Sequence, residues 1–202
     1  LQKIIEKKIT NVVFMGMGVP FLNYNNSILA ADLLHHPKGI NMGAWRITIS
    51  TAGITKKIKQ FANDAHPYKL AVSLNGSNQE QRLMTMPITK TQSFSELLEL
   101  SQYYTHRTRK RVTFEYVLMA GVNDNPIDAK NLKEILAPIN CKLNLIPYNE
   151  INGPYRRPSD TEIKLFISSL KNASFPVTVR WSKGQDIDAG CGQLATVSEN
   201  KK

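Results

Sequence analysis

Apolar residues along the chain gather into short runs separated by longer amphipathic stretches. The runs around 11–15, 45–49, 69–73, 111–118, 142–146 and 177–181 are rich in Val, Ile, Leu and Phe and predict six strands. Between them, apolar positions recur with helical spacing over 26–35, 54–63, 94–106, 128–136 and 160–171, which predicts five helices. Ser93 or Ser95 is placed to cap the third helix, and Ser159 or Asp160 the fifth, since a side-chain oxygen there accepts from free N–H groups of the first turn. Trp45 and Trp181 open and close strands and are expected to anchor the core, while Cys141, at the start of an apolar strand, is expected to pack within it.

Strand and helix alternate throughout. Such alternation favours parallel strands joined by right-handed crossovers, either in a doubly wound sheet or in a full or partial (β/α) barrel. A length of 202 residues suits one substantial core, and residues 1–202 read as a single domain. The final Glu-Asn-Lys-Lys reads as a frayed tail.

The unusual polar and small residues fall just after the predicted strands. Gly16 and Gly18 follow the first, Ser50-Thr51 the second, Ser73-Leu74-Asn75-Gly76 the third, Gly121-Val122-Asn123-Asp124 the fourth, and Pro147-Tyr148-Asn149 the fifth. In parallel α/β folds ligands bind at this rim, where loops converge and expose backbone donors. Taken singly, Gly16-Met17-Gly18 reads as an ordinary turn, and Ser50, Ser73 and Asn149 are as readily caps as ligand contacts. Their shared rim is what points to a small-molecule site.

Cys191 stands in Gly-Gln-Asp-Ile-Asp-Ala-Gly-Cys-Gly-Gln-Leu-Ala, residues 184–195. Glycines and small residues around a cysteine suit close approach to a nucleophilic thiolate better than they suit core packing. The two cysteines, Cys141 and Cys191, supply neither a disulfide framework nor a four-cysteine zinc site, and no signal peptide or long apolar run is present. A reducing, cytoplasmic setting without membrane attachment is expected. His35-His36 precede Pro37 at a helix end, with no further ligand at metal spacing, so capping of free carbonyls is expected there.

The net charge of +10 favours a polyanionic partner, nucleic acid before membrane. His106-Arg107-Thr108-Arg109-Lys110-Arg111 reads equally as phosphate contacts or as a solvated helix end. Tyr155-Arg156-Arg157 combines charge with a stacking surface, which suits RNA.

An ordered set of motifs resembles one family along nearly the whole chain. They are Val-Val-Phe-Met-Gly-Met-Gly-Val-Pro-Phe-Leu-Asn at 12–23, Arg-Ile-Thr-Ile-Ser-Thr-Ala-Gly at 46–53 and Leu-Ala-Val-Ser-Leu-Asn at 70–75. Phe-Glu-Tyr-Val-Leu at 114–118, Gly-Val-Asn-Asp at 121–124, Asn-Leu-Ile-Pro-Tyr-Asn at 144–149 and Asp-Ile-Asp-Ala-Gly-Cys-Gly-Gln-Leu at 186–194 continue the series. The chain resembles the C-terminal portion of the radical S-adenosylmethionine methyltransferases that modify carbon-2 of an adenine in large-subunit ribosomal RNA and in some transfer RNAs.

The resemblance implies an α/β fold, a partial (β/α) barrel of the radical S-adenosylmethionine type lacking its N-terminal segment. It implies S-adenosylmethionine bound on the rim by Gly18, Val19, Ser50, Ser73, Leu74, Asn75 and Asn149, beside a 4Fe-4S cluster whose ligands lie upstream. It also implies that Cys191 carries the methyl group: one cofactor methylates its sulfur, a second yields a 5′-deoxyadenosyl radical that activates the S-methyl group, and the carbon radical adds to adenine. The expected partners are ribosomal RNA, transfer RNA and an electron donor, with the protein a monomer.

Three positions depart from the family pattern. The Cys-x-x-x-Cys-x-x-Cys loop of the family is absent, and the chain starts at Leu1 shortly before the Gly-Met-Gly turn, so it reads as a portion of a longer protein with an exposed first strand and poor solubility in isolation. Val19 stands where the family has a glutamate receiving the cofactor's ammonium; losing such a bond costs about 1.5–3 kcal/mol, roughly 10- to 150-fold in affinity. Asn75 replaces a histidine, with a donor and an acceptor retained. Two other functions remain open: a noncatalytic RNA-binding remnant, and methylation of adenine carbon-8.

Overall fold

The computed structural model describes residues 9–15, 18–150 and 154–181; Cys191, with its motif at 184–195, lies outside them. Among the described residues six strands, β1 (Val12–Phe14), β2 (Ile47–Thr51), β3 (Lys69–Ser73), β4 (Val112–Leu118), β5 (Cys141–Pro147) and β6 (Val177–Val179), form one sheet in sequential order. Every neighbouring pair is parallel. Six α-helices lie between them: α1 (Tyr24–His35), α2 (Thr55–Asn63), α3 (Gln79–Thr85), α4 (Phe94–Thr108), α5 (Pro126–Leu136) and α6 (Asp160–Ser169).

Sequential order decides between the two architectures that the alternation leaves open. A doubly wound sheet reverses its strand order at a switch point and carries helices on both faces. Here no reversal occurs, so right-handed crossovers put successive helices on the same face. That face is apolar. Ile47, Ile49, Leu70, Val72, Val112, Phe114, Tyr116, Leu118, Leu143 and Leu145 pack there against Ile28, Ile58, Phe61, Leu97, Tyr104, Leu132, Ile163 and Phe166 of the helices. Cys141 is buried in the same cluster, as expected, and burial pushes its thiol up to about 12.

The opposite face is polar, as strand alternation requires when only one side carries a core. In register across it run Ser50, Ala71, Thr113 and Lys142, and one step further Ser73, Glu115, Asn144 and Thr178. Asn144 Nδ2 donates to Glu115 Oε1 at 3.1 Å, and Thr178 donates its hydroxyl to Asn144 Oδ1, so the row is linked across three strands. The sheet curls around this face. Arg180, just past β6, donates to Met15 Sδ, just past β1, at 3.2 Å, and residues from β1 through the end of β6 line one hollow of about 850 Å³. This is a partial (β/α) barrel.

Local caps match the expected alternatives. Ser93 caps α4 by accepting from the Glu96 N–H, and Ser159 forms a reciprocal capping box with Glu162 at α6. His35 ends α1, its Nδ1 2.8 Å from the Met42 carbonyl. The two tryptophans overturn the expectation of core anchors: Trp45 is 60% exposed and Trp181 52%. Trp45 lies in a 3-10 turn before β2 and Trp181 beyond β6, both off the helix-covered face. Cations hold the rings instead, with Arg46 4.6 Å and Lys69 5.6 Å from the Trp45 ring centre and Arg157 5.9 Å from that of Trp181.

Candidate cofactor rim

The C-terminal ends of β1 to β5 form the rim on which the expected site residues stand. Beyond β1, Gly18 takes φ +85°, a conformation that suits glycine, and no heavy atom lies within 4 Å of where a Cβ would stand. The backbone is therefore open to close approach. Gly18 and Val19 line a hollow of about 340 Å³ with Phe14, Met15, Pro20, Asn23 and Ser27. None of these is acidic, so among the described residues this lining offers no carboxylate to a ligand ammonium.

Ser50 and Ser73 project onto the polar face by their register. Ser50 Oγ donates to the Phe14 carbonyl at 2.6 Å, which ties the end of β2 to the Gly18–Val19 hollow. Leu74 turns the other way: its side chain is fully buried in the core and its N–H donates to the Glu115 carbonyl at 2.8 Å. Any contact from Leu74 to a rim ligand is confined to the main chain.

Asn75 serves the loop itself. At φ +54° it turns the chain just beyond β3, and its Oδ1 accepts from the Val117 N–H at 2.9 Å, extending the β3–β4 ladder beyond the last paired residue. Its carbonyl accepts from Asn123 Nδ2 at 3.2 Å. Asn149 is nearly buried and lines a separate hollow of about 490 Å³ with Glu150, Arg156, Arg157, Pro158, Ser159 and Asp160. The predicted residues thus share one rim but open onto two hollows, with Gly18 and Val19 in the first and Asn149 in the second.

The basic segments divide between the two ends of the sheet. His106–Arg111 leads from α4 into the start of β4, opposite the rim, and Arg109, Lys110 and Arg111 line the 850 Å³ hollow with Trp45, Lys69, Lys142 and Arg180. On the rim side, Arg156 is engaged by Glu162 through two bonds of 3.1 and 2.7 Å, which hold the Glu162 carboxyl down at about 2. Arg157 donates to the Tyr148 carbonyl at 3.3 Å.

Two buried residues have structural roles that their sequence does not reveal: Asn123, which the rim pattern includes, and Arg82, which no motif marks. Asn123, fully buried, accepts from the Met119 N–H at 2.8 Å and donates to the Val117 carbonyl at 2.9 Å, and the Tyr116 hydroxyl donates to the Asn123 main-chain carbonyl at 2.7 Å. Arg82, also fully buried, reaches the loops after β2 and β3. Its helix, α3, carries its apolar Leu83 and Met84 exposed, the reverse of the pattern that reveals a helix in sequence.

Among the described residues no group of three His, Cys, Asp or Glu side chains converges to hold a metal ion, and the chain has only two cysteines. It does not supply the ligand set of a 4Fe-4S cluster. The rim does fit an extended polar ligand, with an open backbone at Gly18 and hydroxyls at Ser50 and Ser73.

A curled parallel sheet with small and polar residues at successive strand ends defines a class of barrel built to hold a ligand on that rim. Residues 1–130 match the Radical SAM superfamily, and the chain belongs to that superfamily. It is 43% identical over 191 residues to a probable dual-specificity RNA methyltransferase RlmN of Flavobacterium psychrophilum, covering 94% of this chain and 55% of the relative. The dual-specificity RNA methyltransferase RlmN of Desulfotalea psychrophila is 41% identical over 196 residues, covering 96% of this chain and 54% of the relative. The chain thus spans about half the length of the curated relatives it matches. The crystal structure of a radical SAM methyltransferase from Sphaerobacter thermophilus superposes with a TM-score of 0.90 at 41% identity, covering 95% of this chain and 56% of that one. A domain of pyruvate-formate lyase-activating enzyme from Bacteroides vulgatus, at 16% identity and a TM-score of 0.63 over 85% of this chain and 99% of that one, shares the fold.

Proposed function

We propose that the chain is the cofactor-binding and methyl-carrying part of an RNA methyltransferase acting on carbon-2 of an adenine, in large-subunit ribosomal RNA and in transfer RNA. The carrying observation is the rim itself: Gly18–Val19, Ser50, Ser73–Asn75 and Asn149 stand at successive strand ends of a barrel whose relatives are named RNA methyltransferases. When bound, S-adenosylmethionine supplies the methyl group. Gly18 admits the ligand to the backbone, and Ser50 and Ser73 offer hydroxyls from the polar face. Asn75 keeps the loop after β3 in shape, and Asn149 contributes from the end of β5.

Cys191 is the methyl carrier in this reading, accepting the group as a thiolate and presenting it to adenine. The described residues bring together no set of metal ligands, so the ligands of a 4Fe-4S cluster are assigned to a segment upstream, and its electron donor is a separate partner. With no acid among the described residues of the Gly18–Val19 hollow, S-adenosylmethionine binds more weakly than it would with a glutamate at Val19. No described helix is long and apolar enough to cross a membrane, and the proposed setting is the cytoplasm, with the protein a monomer.

The test joins this chain to the upstream portion of the Flavobacterium psychrophilum relative and supplies ribosomal and transfer RNA lacking the modification. Mass spectrometry of the digested nucleosides is expected to show 2-methyladenosine, lost in Cys191→Ala. Appearance of 8-methyladenosine reassigns the carbon. RNA binding with no methylation, restored by Val19→Glu, leaves the RNA-binding remnant as the native chain's role.

A further inference from the structure

The side chain of Arg82 has no exposed surface, and its polar partners are all neutral. Nη1 donates to Thr89 Oγ1 at 2.5 Å, and Nη2 donates to the Ala52 carbonyl at 2.5 Å and the Ser73 carbonyl at 3.2 Å. Ala52 lies just past β2 and Ser73 ends β3, so one guanidinium joins the two strand ends that carry Ser50 and Ser73.

Two glycines make room for it. A Cβ at Gly53 would stand 2.7 Å from Arg82 Nη2, and one at Gly76 would stand 2.7 Å from the Arg82 main-chain nitrogen. Gly53 also takes φ +106°. The loop after β2 is therefore shaped around this side chain, and the loop after β3 lies close against the main chain that carries it.

The charge itself is unmatched. The ion pairs among the described residues, His66–Asp64, Lys130–Glu134 and Arg156–Glu162, leave Arg82 out, and its Nε has no hydrogen-bond partner. Burial lowers its pKa only to about 10, so the guanidinium stays charged at neutral pH. A buried charge met by dipoles alone is costly, and joining two loops does not require one. What a full charge adds is an electrostatic field at the ends of β2 and β3, weakly screened at its source because the guanidinium is shut off from solvent.

We propose that Arg82 is a positioning residue whose charge, set at the ends of β2 and β3, orients the carboxylate of a ligand bound on the rim. The inference rests on the reading that the rim takes S-adenosylmethionine, whose amino-acid portion ends in a carboxylate beside an ammonium.

Calorimetric titration of the chain joined to the upstream portion of the Flavobacterium psychrophilum relative, with two probes, separates the inference from that reading. One probe is S-adenosylhomocysteine; the other is S-adenosyl-3-thiopropylamine, which keeps the ammonium and lacks the carboxylate. The native chain is expected to bind the first about tenfold more tightly, a ratio that falls to within about twofold in Arg82→Gln and persists in Arg82→Lys. Equal weakening of both probes in Arg82→Gln, with the ratio intact, means that Arg82 only braces the loops and overturns the proposal. Should Arg82→Gln fail to fold by circular dichroism, Arg82→Lys decides: a folded Lys variant that has lost the ratio overturns it, and one that keeps it supports it. If the native chain binds neither probe, the cofactor reading itself fails, and the inference with it.

Discussion

Glu115 lies on the polar face of the sheet with Oε1 bonded to Asn144 and Oε2 without a partner. Burial pushes its carboxyl above the usual carboxylate range, against the pull of the Asn144 bond and of Arg180 and Lys142. A group with a raised folded pKa holds its proton more tightly when folded, so stability is greatest below the ordinary carboxylate range and falls as pH rises through the raised value. Glu115→Gln should therefore leave the thermal midpoint nearly unchanged at pH 3.5 and raise it at pH 8, read by scanning calorimetry. An equal shift at both values contradicts this assignment. Asn123→Ala should cost about 1–3 kcal/mol in urea unfolding, since it strips partners from the buried Val117 carbonyl and Met119 N–H. At this scale the sequence was partly legible. Motifs located the rim residues, but nothing in one dimension distinguishes Leu74, turned into the core, from Ser73 beside it, or shows that Asn75 and Asn123 spend their amides on the loops. Arg82 gave no signal, because a lone arginine in a polar helix reads as a surface residue.

Among the elements, β4 carries the greatest structural share, with parallel partners along both edges and an apolar side covered by helices. Phe114 at its centre has no exposed surface, and Phe114→Ala should destabilise the fold by about 3–5 kcal/mol, measured by urea unfolding; a loss under about 1 kcal/mol would place the core elsewhere. All six strands and five of the six helices follow from periodicity, because each buries one apolar stripe on the same face. The departures have local causes. β2 runs Ile47–Thr51 rather than 45–49 because Trp45 and Arg46 form a 3-10 turn, and β6 stops at Val179 rather than 181. Helix α3 was missed because its buried contacts are made by an arginine rather than by apolar side chains.

For the whole molecule, topology gathers the described candidate rim residues at one end of the sheet and a cluster of positive charge at the other. The rim collects Gly18, Ser50, Ser73 and Asn149, whereas Lys69, Arg109, Arg111 and Lys142 gather around the hollow at the strand starts. Charge count alone suggested a polyanion without saying which end it meets, since spatial separation is a property of the fold. Alternation alone leaves a doubly wound sheet and a barrel open, and strand order decides between them; the ordered motifs already imply the barrel and the class of chemistry. The account turns on Cys191 as the group that receives the methyl from a ligand on the rim. Its most direct test is peptide mass spectrometry of the chain joined to the relative's upstream portion, reconstituted anaerobically with iron and sulfide and supplied with S-adenosylmethionine. The predicted result is one added methyl on the peptide containing Cys191. An unmodified Cys191 in a preparation that methylates RNA normally would contradict it.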